Sequence, residues 1–209
     1  MASCAHVCPE LIEKAVLKRD DGKVTVIFKR GSQDVPVVVD TEVPMRGSSP
    51  LYAKSSQAGE TWPALMEKAY AEQYGMGKGY EGIGHGGHPG TAMSNITGGT
   101  SRNAPVRPSD ATSPGRRKAL LDTLSQADKK PTTAITPKPP DGEHNVASGR
   151  VAGWHAYSVL GTTKSADGKD MVKLRNPWGG SGGTRGEFEM PLEHFVEDYS
   201  SINQLTLLA

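Results

Sequence analysis

The sequence predicts an α+β protein, a helical N-terminal part followed by a twisted antiparallel sheet, and three observations carry the prediction. Helix-spaced apolar residues recur at 9–18, 61–75 and 119–127, β-branched runs pair as a hairpin over 23–40, and strand patterns dominate from 151 onward. In chain order, PELIEKAVLK (9–18) places Leu11, Ile12, Val16 and Leu17 at helical spacing behind a proline suited to a first turn. KVTVIF (23–28) and VPVVVD (35–40) are strands joined by a Gly-Ser-Gln-Asp turn. TWPALMEKAYAEQYG (61–75) is a helix with Thr61 as N-cap, Pro63 in the first turn and Gly75 as terminator. Leu65, Met66, Ala69 and Tyr70 form its buried stripe, and Glu67 and Lys68 face water. The stretch 76–118 is mostly loop, with one short helix near 91–96, and ALLDTLSQA (119–127) is a further helix. Residues 129–150 are too rich in proline and polar side chains to hold much core, so a mobile surface excursion is expected there. GWHAYSVLG (153–161), DMVKLRN (170–176) and INQLTLL (202–208) are strands, and PLEHFVEDY (191–199) is a short helix. The expected division is a subdomain of helices and hairpin over 1–100, a variable Pro/Gly/Ser-rich segment over 101–150, and an antiparallel β subdomain over 151–209.

Composition narrows the classes of partner. A chain of 209 residues can bury a real core, while 25 glycines and 15 prolines make it loop-rich. Its formal charge of +1 argues against the clustered positive charge that nucleic-acid or polybasic membrane binding needs, so neither partner is expected. Cys4 and Cys8 are too few for a disulfide framework or a thiolate metal site and point to a reducing compartment. Glu10 and Glu13 stand where a signal peptide would be apolar, and no run approaches the roughly 20 apolar residues of a membrane span. A cytoplasmic location is therefore favoured.

The segment richest in chemistry is WHAYSV, followed by RNPWG, whose asparagine lies 21 positions after that histidine. His155 begins one expected strand and Asn176 ends the next, so a hairpin can bring both side chains to one rim of a sheet. Such a pair is half of a thiol-protease site: the imidazole takes a proton from a thiol, and the carboxamide oxygen holds the other ring N–H. Trp178, two residues beyond Asn176, is placed to cover that hydrogen bond from water. Taken bare, a histidine and an asparagine on adjacent strands are more often a structural pairing than a catalytic one.

HAYSV with RNPWG resembles the second catalytic half of the calpain family of papain-like cysteine proteases. The likeness extends to VPVVVDTEVPM (35–45), to WPALMEKAYAEQYG with GYEGI (79–83), to ITGG (96–99) and to GEFEMPLEHFVEDYSSINQL (186–205). The resemblance implies a papain-like core, a protein or peptide substrate, His155 as general base, Asn176 as its orienting partner, and Trp178 in support. It also implies that the glycine-rich loop around Gly84 and Gly86, together with Gly153, borders the substrate cleft.

The departures matter as much. The family places its nucleophile in a QGDCW motif at a helix start, and this sequence holds none. MASCAHVCPELIEKAV (1–16) looks like the stretch just after it, so the N-terminal subdomain is expected to be truncated. Cys4 would then lie about nine residues past the missing thiol, roughly 13 Å along a helix, a poor substitute. The thiol would come from a preceding segment or a second chain. The alternative is a catalytically inactive pseudo-protease that keeps the cleft for peptide binding or regulation, and a third reading makes Cys4 or Cys8 the nucleophile after a register shift. Trp154 occupies the position before His155 where the family usually has glycine, which narrows the cleft. The calcium loop of animal calpains is mostly deleted in GSGGTRGEF (180–188), where Arg185 replaces an acidic ligand and Glu187 alone keeps a carboxylate. Calcium takes six to eight oxygens, so neither calcium nor any other cofactor is expected.

Remaining motifs read plainly. Gly82, Gly84 and Gly87 fit G-x-G-x-x-G but follow a helix, not a strand, which argues against a dinucleotide site. His85 and His88 lack a third metal ligand, and Arg116, Arg117 and Lys118 make a solvated helix start.

Overall fold

The computed structural model describes residues 1–55, 57, 59–179 and 183–208. Two apolar cores divide the chain. The first is built from α1 (Ala2–Val7), α2 (Pro9–Ala15), the antiparallel sheet β1 (Val16–Lys18), β2 (Val24–Arg30) and β3 (Gln33–Val39), the small ribbon β4 (Met45–Arg46) and β5 (Ser49–Pro50), and helices α3 (Trp62–Tyr74), α4 (Tyr80–Ile83) and α5 (Pro89–Thr97). Strand alternation sends Val24, Val26 and Phe28 of β2 and Val37 and Val39 of β3 inward, where they meet Leu65, Met66 and Ala69 of α3. Tyr70 and Tyr74 complete that face edge-on to Phe28.

The second core lies around one antiparallel six-stranded sheet. Its strands are β6 (Thr100–Pro105), β7 (Thr132–Ile135), β8 (Ala156–Lys164), β9 (Asp170–Arg175), β10 (Glu187–Pro191) and β11 (Ser201–Thr206), in the spatial order β10-β9-β8-β7-β11-β6. Helices α6 (Ser109–Thr112), α7 (Pro114–Leu124) and α8 (Leu192–Asp198) complete this half, with a 3₁₀ turn at Ser125–Asp128 after α7. Leu120, Leu124, Tyr157, Val159, Val172, Leu174, Leu192 and Phe195 are its buried centre. Helices packed with antiparallel sheets make the α+β, papain-like arrangement that the sequence predicts.

Several local expectations change. Val16 and Leu17 leave the first helix and pair with β2, because ladder bonds to Val26 and Thr25 outweigh helical spacing in a short segment. Glu67 and Lys68 are not free in water: Glu67 accepts the Ala53 N–H at 2.9 Å, and Lys68 bonds Asp40 and the Glu42 carbonyl, tying the 40–53 loop to α3. Arg117 likewise bridges Asp170 and Glu193, joining α7 to β9 and α8. The largest correction concerns 129–150. Thr132–Ile135 is an inner strand between β11 and β8, and Val146 is buried in the second core, while 137–145 and 147–149 run over the surface. Proline and lysine on both sides hide this four-residue run, which is too short to show a period of its own.

One glycine is dictated by contact. A Cβ on Gly82 would stand 2.0 Å from the Gly75 carbonyl oxygen, so the close seating of α4 on the end of α3 requires the missing side chain. Among the described residues no helix is long and apolar enough to cross a membrane.

Candidate active site

β8 and β9 are sequential antiparallel neighbours, and their pairing puts Ser158 opposite Arg175. His155 immediately precedes β8 and Asn176 immediately follows β9, so both come to the same rim. His155 Nε2 and Asn176 Oδ1 are 3.0 Å apart. The carboxamide is aimed by its other bonds: Nδ2 donates to the Thr184 carbonyl at 3.1 Å, and Oδ1 also accepts the Trp178 N–H at 3.1 Å. Oδ1 is therefore the atom facing the ring, and an acceptor there requires Nε2 to carry the proton. Nδ1 is then the basic nitrogen of the neutral imidazole.

Packing fixes the ring further. The Trp178 indole lies tilted against it with centroids 4.3 Å apart, and Tyr157 meets it edge-on at 4.8 Å. Asn176 is 3 % exposed, and His155 is half-buried. Burial holds the His155 pKa below its ordinary value, and the Asn176 hydrogen bond opposes that shift without overcoming it. The imidazole is neutral, and so able to accept a proton, near pH 7.

Thr136 and Thr184 belong to this site although neither was singled out in the sequence. The Thr136 hydroxyl accepts the His155 N–H at 2.9 Å, while its own N–H donates to the His155 carbonyl at 3.0 Å. Thr184 presents its carbonyl to Asn176 and anchors its hydroxyl on the Arg150 carbonyl at 3.3 Å. Arg150 in turn forks onto Asp198, which is 1 % exposed. The missed strand at 132–135 explains the first omission, since Thr136 is the residue that follows it. A backbone carbonyl leaves no mark in sequence, which explains the second.

The other expected site residues are placed as follows. Gly153 packs tightly, for a Cβ there would stand 2.7 Å from the Pro139 ring. Trp154 is 76 % exposed, with its N–H bonded to the Pro137 carbonyl. Gly84 caps α4, and Gly86 turns at φ +78° before α5; no hydrogen bond from either reaches His155 or Asn176 among the described residues. Cys4 and Cys8 are both fully buried in the first core, and the Cys8 Sγ–H donates to the Cys4 carbonyl at 3.1 Å. Burial raises both thiols, Cys8 to about 12, so neither is a thiolate at neutral pH. Of the GSGGTRGEF loop, residues 180–182 lie outside the described residues; Arg185 is exposed, and Glu187 is paired with Arg175 across β9 and β10, Nε to Oε1 at 3.0 Å. No group of three or more potential metal ligands occurs among the described residues.

An imidazole held by a buried carboxamide at the rim of an antiparallel sheet, beside a helical half, defines a papain-like cysteine protease core. Comparison with known proteins agrees. The family model described as calpain family cysteine protease matches residues 1–190. Calpain-12 of Mus musculus is 38 % identical over 148 residues, 69 % of this chain and 19 % of that protein. Calpain-A of Drosophila melanogaster is 32 % identical over 152 residues, 69 % of this chain and 17 % of that protein. The calpain-type cysteine protease DEK1 of Arabidopsis thaliana is 31 % identical over 160 residues, 76 % of this chain and 7 % of that protein. The chain belongs to the calpain family of cysteine proteases. It spans less than a fifth of the length of each of these three relatives.

Proposed function

We propose that this chain is the base-carrying part of a cysteine-type endopeptidase, in which His155 deprotonates a thiol, Asn176 orients the ring, and the thiolate attacks a peptide carbonyl. The carrying observation is the 3.0 Å His155–Asn176 bond, in which Nε2 is committed to the carboxamide and Nδ1 is left to accept the thiol proton. The imidazolium gives its proton to the amine as the acyl-thioester forms and the amine leaves; the neutral imidazole then takes a proton from the water that attacks the thioester, which releases the acid and restores the thiol. Trp178 supports the pair by walling one side of the imidazole.

On this reading a preceding segment or a second chain supplies the thiol, and the burial of Cys4 and Cys8, which makes both poor nucleophiles, supports it. A carboxamide and an imidazole so firmly oriented favour catalysis over an inactive peptide-binding module. The pairing of Glu187 with Arg175 supports a reading in which calcium is not required at the loop after Asn176. Two unpaired buried thiols fit a reducing, cytoplasmic setting.

The test is to supply Gln-Gly-Asp-Cys-Trp ahead of Met1 on a short helical segment and measure cleavage of a fluorogenic peptide. Cleavage that disappears in His155→Ala supports the proposal. Cleavage that survives that change refutes the assigned base, and a folded but inert fusion favours the pseudo-protease reading.

A further inference from the structure

Trp154 is one of only two non-glycine residues with positive φ among the described residues, at +48°. A bulky side chain in the left-handed region is a genuine outlier that the surrounding structure must enforce. Here the enforcement is visible on both sides. The Gly153 N–H is held by the His144 carbonyl, the Trp154 N–H by the Pro137 carbonyl, and the next residue by Thr136. Burial does not compensate, because the side chain is left three-quarters exposed. Among the described residues its cation–π partner is Lys138, whose Nζ lies 5.9 Å from the centroid, at the outer limit of such an interaction. Backbone strain that brings no packing and sits next to the base His155 is a device of the site, not of the core.

We infer that Trp154 is a specificity residue, whose indole forms an apolar platform beside His155 for one large apolar or aromatic side chain of an extended peptide. This rests on the proposed peptidase reading and names the substrate feature that reading leaves open. Trp178, 67 % exposed and tilted against the imidazole, presents a second exposed indole at the site itself. An indole in this position offers a peptide a rigid face with little rotamer freedom to lose on binding. Substitution by glycine should relieve the backbone, since glycine alone adopts this φ without cost.

The experiment uses the chain as it stands and needs no thiol. Six fluorescein-labelled hexapeptide amides, each with one Phe at a different position in an otherwise Ala-Gln background, are compared with the Phe-free peptide by anisotropy. The wild type should prefer Phe at one position by about tenfold, the scale of one aromatic contact. Trp154→Gly should lose that preference while melting no lower than the wild type, and Trp154→Phe should keep most of it. Retained preference in Trp154→Gly would overturn this inference and leave the peptidase proposal intact. A clear fall in melting temperature for Trp154→Gly would also overturn it, by showing that the indole is structural. Binding of none of the peptides by the wild type would defeat the inference together with the peptide cleft on which it rests.

Discussion

Replacing Asn176 by alanine removes three hydrogen bonds at once: from the His155 ring, from the Trp178 N–H, and to the Thr184 carbonyl, at 3.0, 3.1 and 3.1 Å. Each is worth about 1 kcal/mol net, and water can reach the half-buried ring but not all of the pocket, so the loss should be about 2 kcal/mol. For a chain of 209 residues that corresponds to a melting temperature about 4–8 °C lower. The electrostatic signature separates this from a generic packing defect. The Asn176 bond is the contribution that raises the His155 pKa against burial, so Asn176→Ala should move the His155 titration further down. Asn176→Asp puts a carboxylate in the same place and should move it up. Urea and thermal melts give the first quantity, and long-range ¹H–¹⁵N imidazole spectra give the second, along with the ring tautomer. If both variants leave the His155 titration and the Nε2–H tautomer unchanged, the bond does not orient the ring and the reasoning fails.

Other outcomes follow from the same geometry. Thr136→Val, which leaves the His155 N–H without its acceptor, should cost about 1–2 kcal/mol in urea melts and allow a mixture of ring tautomers, whereas Thr136→Ser should restore both. Because the folded His155 pKa lies below the ordinary value of about 6.5, its share of stability is complete above that pH and is lost as the pH falls through the folded midpoint. His155→Gln should therefore flatten the stability profile on the acid side of about pH 6.5, and an unchanged slope would contradict the buried neutral imidazole. Cys4 and Cys8 should resist a thiol-directed disulfide reagent at pH 8 in the native protein and react stoichiometrically in denaturant. Rapid native labelling of Cys4 that disappears in His155→Ala would instead make it the nucleophile.

Much of the architecture was legible because period and composition agreed with it. The valine-rich hairpin over 23–40, the α3 stripe of Leu65, Met66 and Ala69, and the strands bearing HAYSV and DMVKLR each declare their inward faces. The site was legible for a different reason: His155 and Asn176 flank two strands joined by a short turn, and antiparallel pairing then forces their ends together. What escaped notice depends on partners distant in sequence. Thr132–Ile135 becomes an inner strand only because β8 and β11 offer edges on either side, and nothing in four residues announces that. Glu67 and Lys68 look solvent-facing on a helical wheel until the 40–53 loop folds over them. The strain at Trp154 lies in a backbone angle, which a residue type favouring neither turn nor left-handed conformation conceals.

The proposed role of His155 as a base toward a thiol is tested most directly by the pH dependence of alkylation. With a Gln-Gly-Asp-Cys-Trp segment supplied ahead of Met1, iodoacetamide should modify the new cysteine well below the ordinary thiol range near pH 8.5, and His155→Ala should abolish that acid limb. Identical profiles with and without the imidazole would show that the base and the sulfur do not meet.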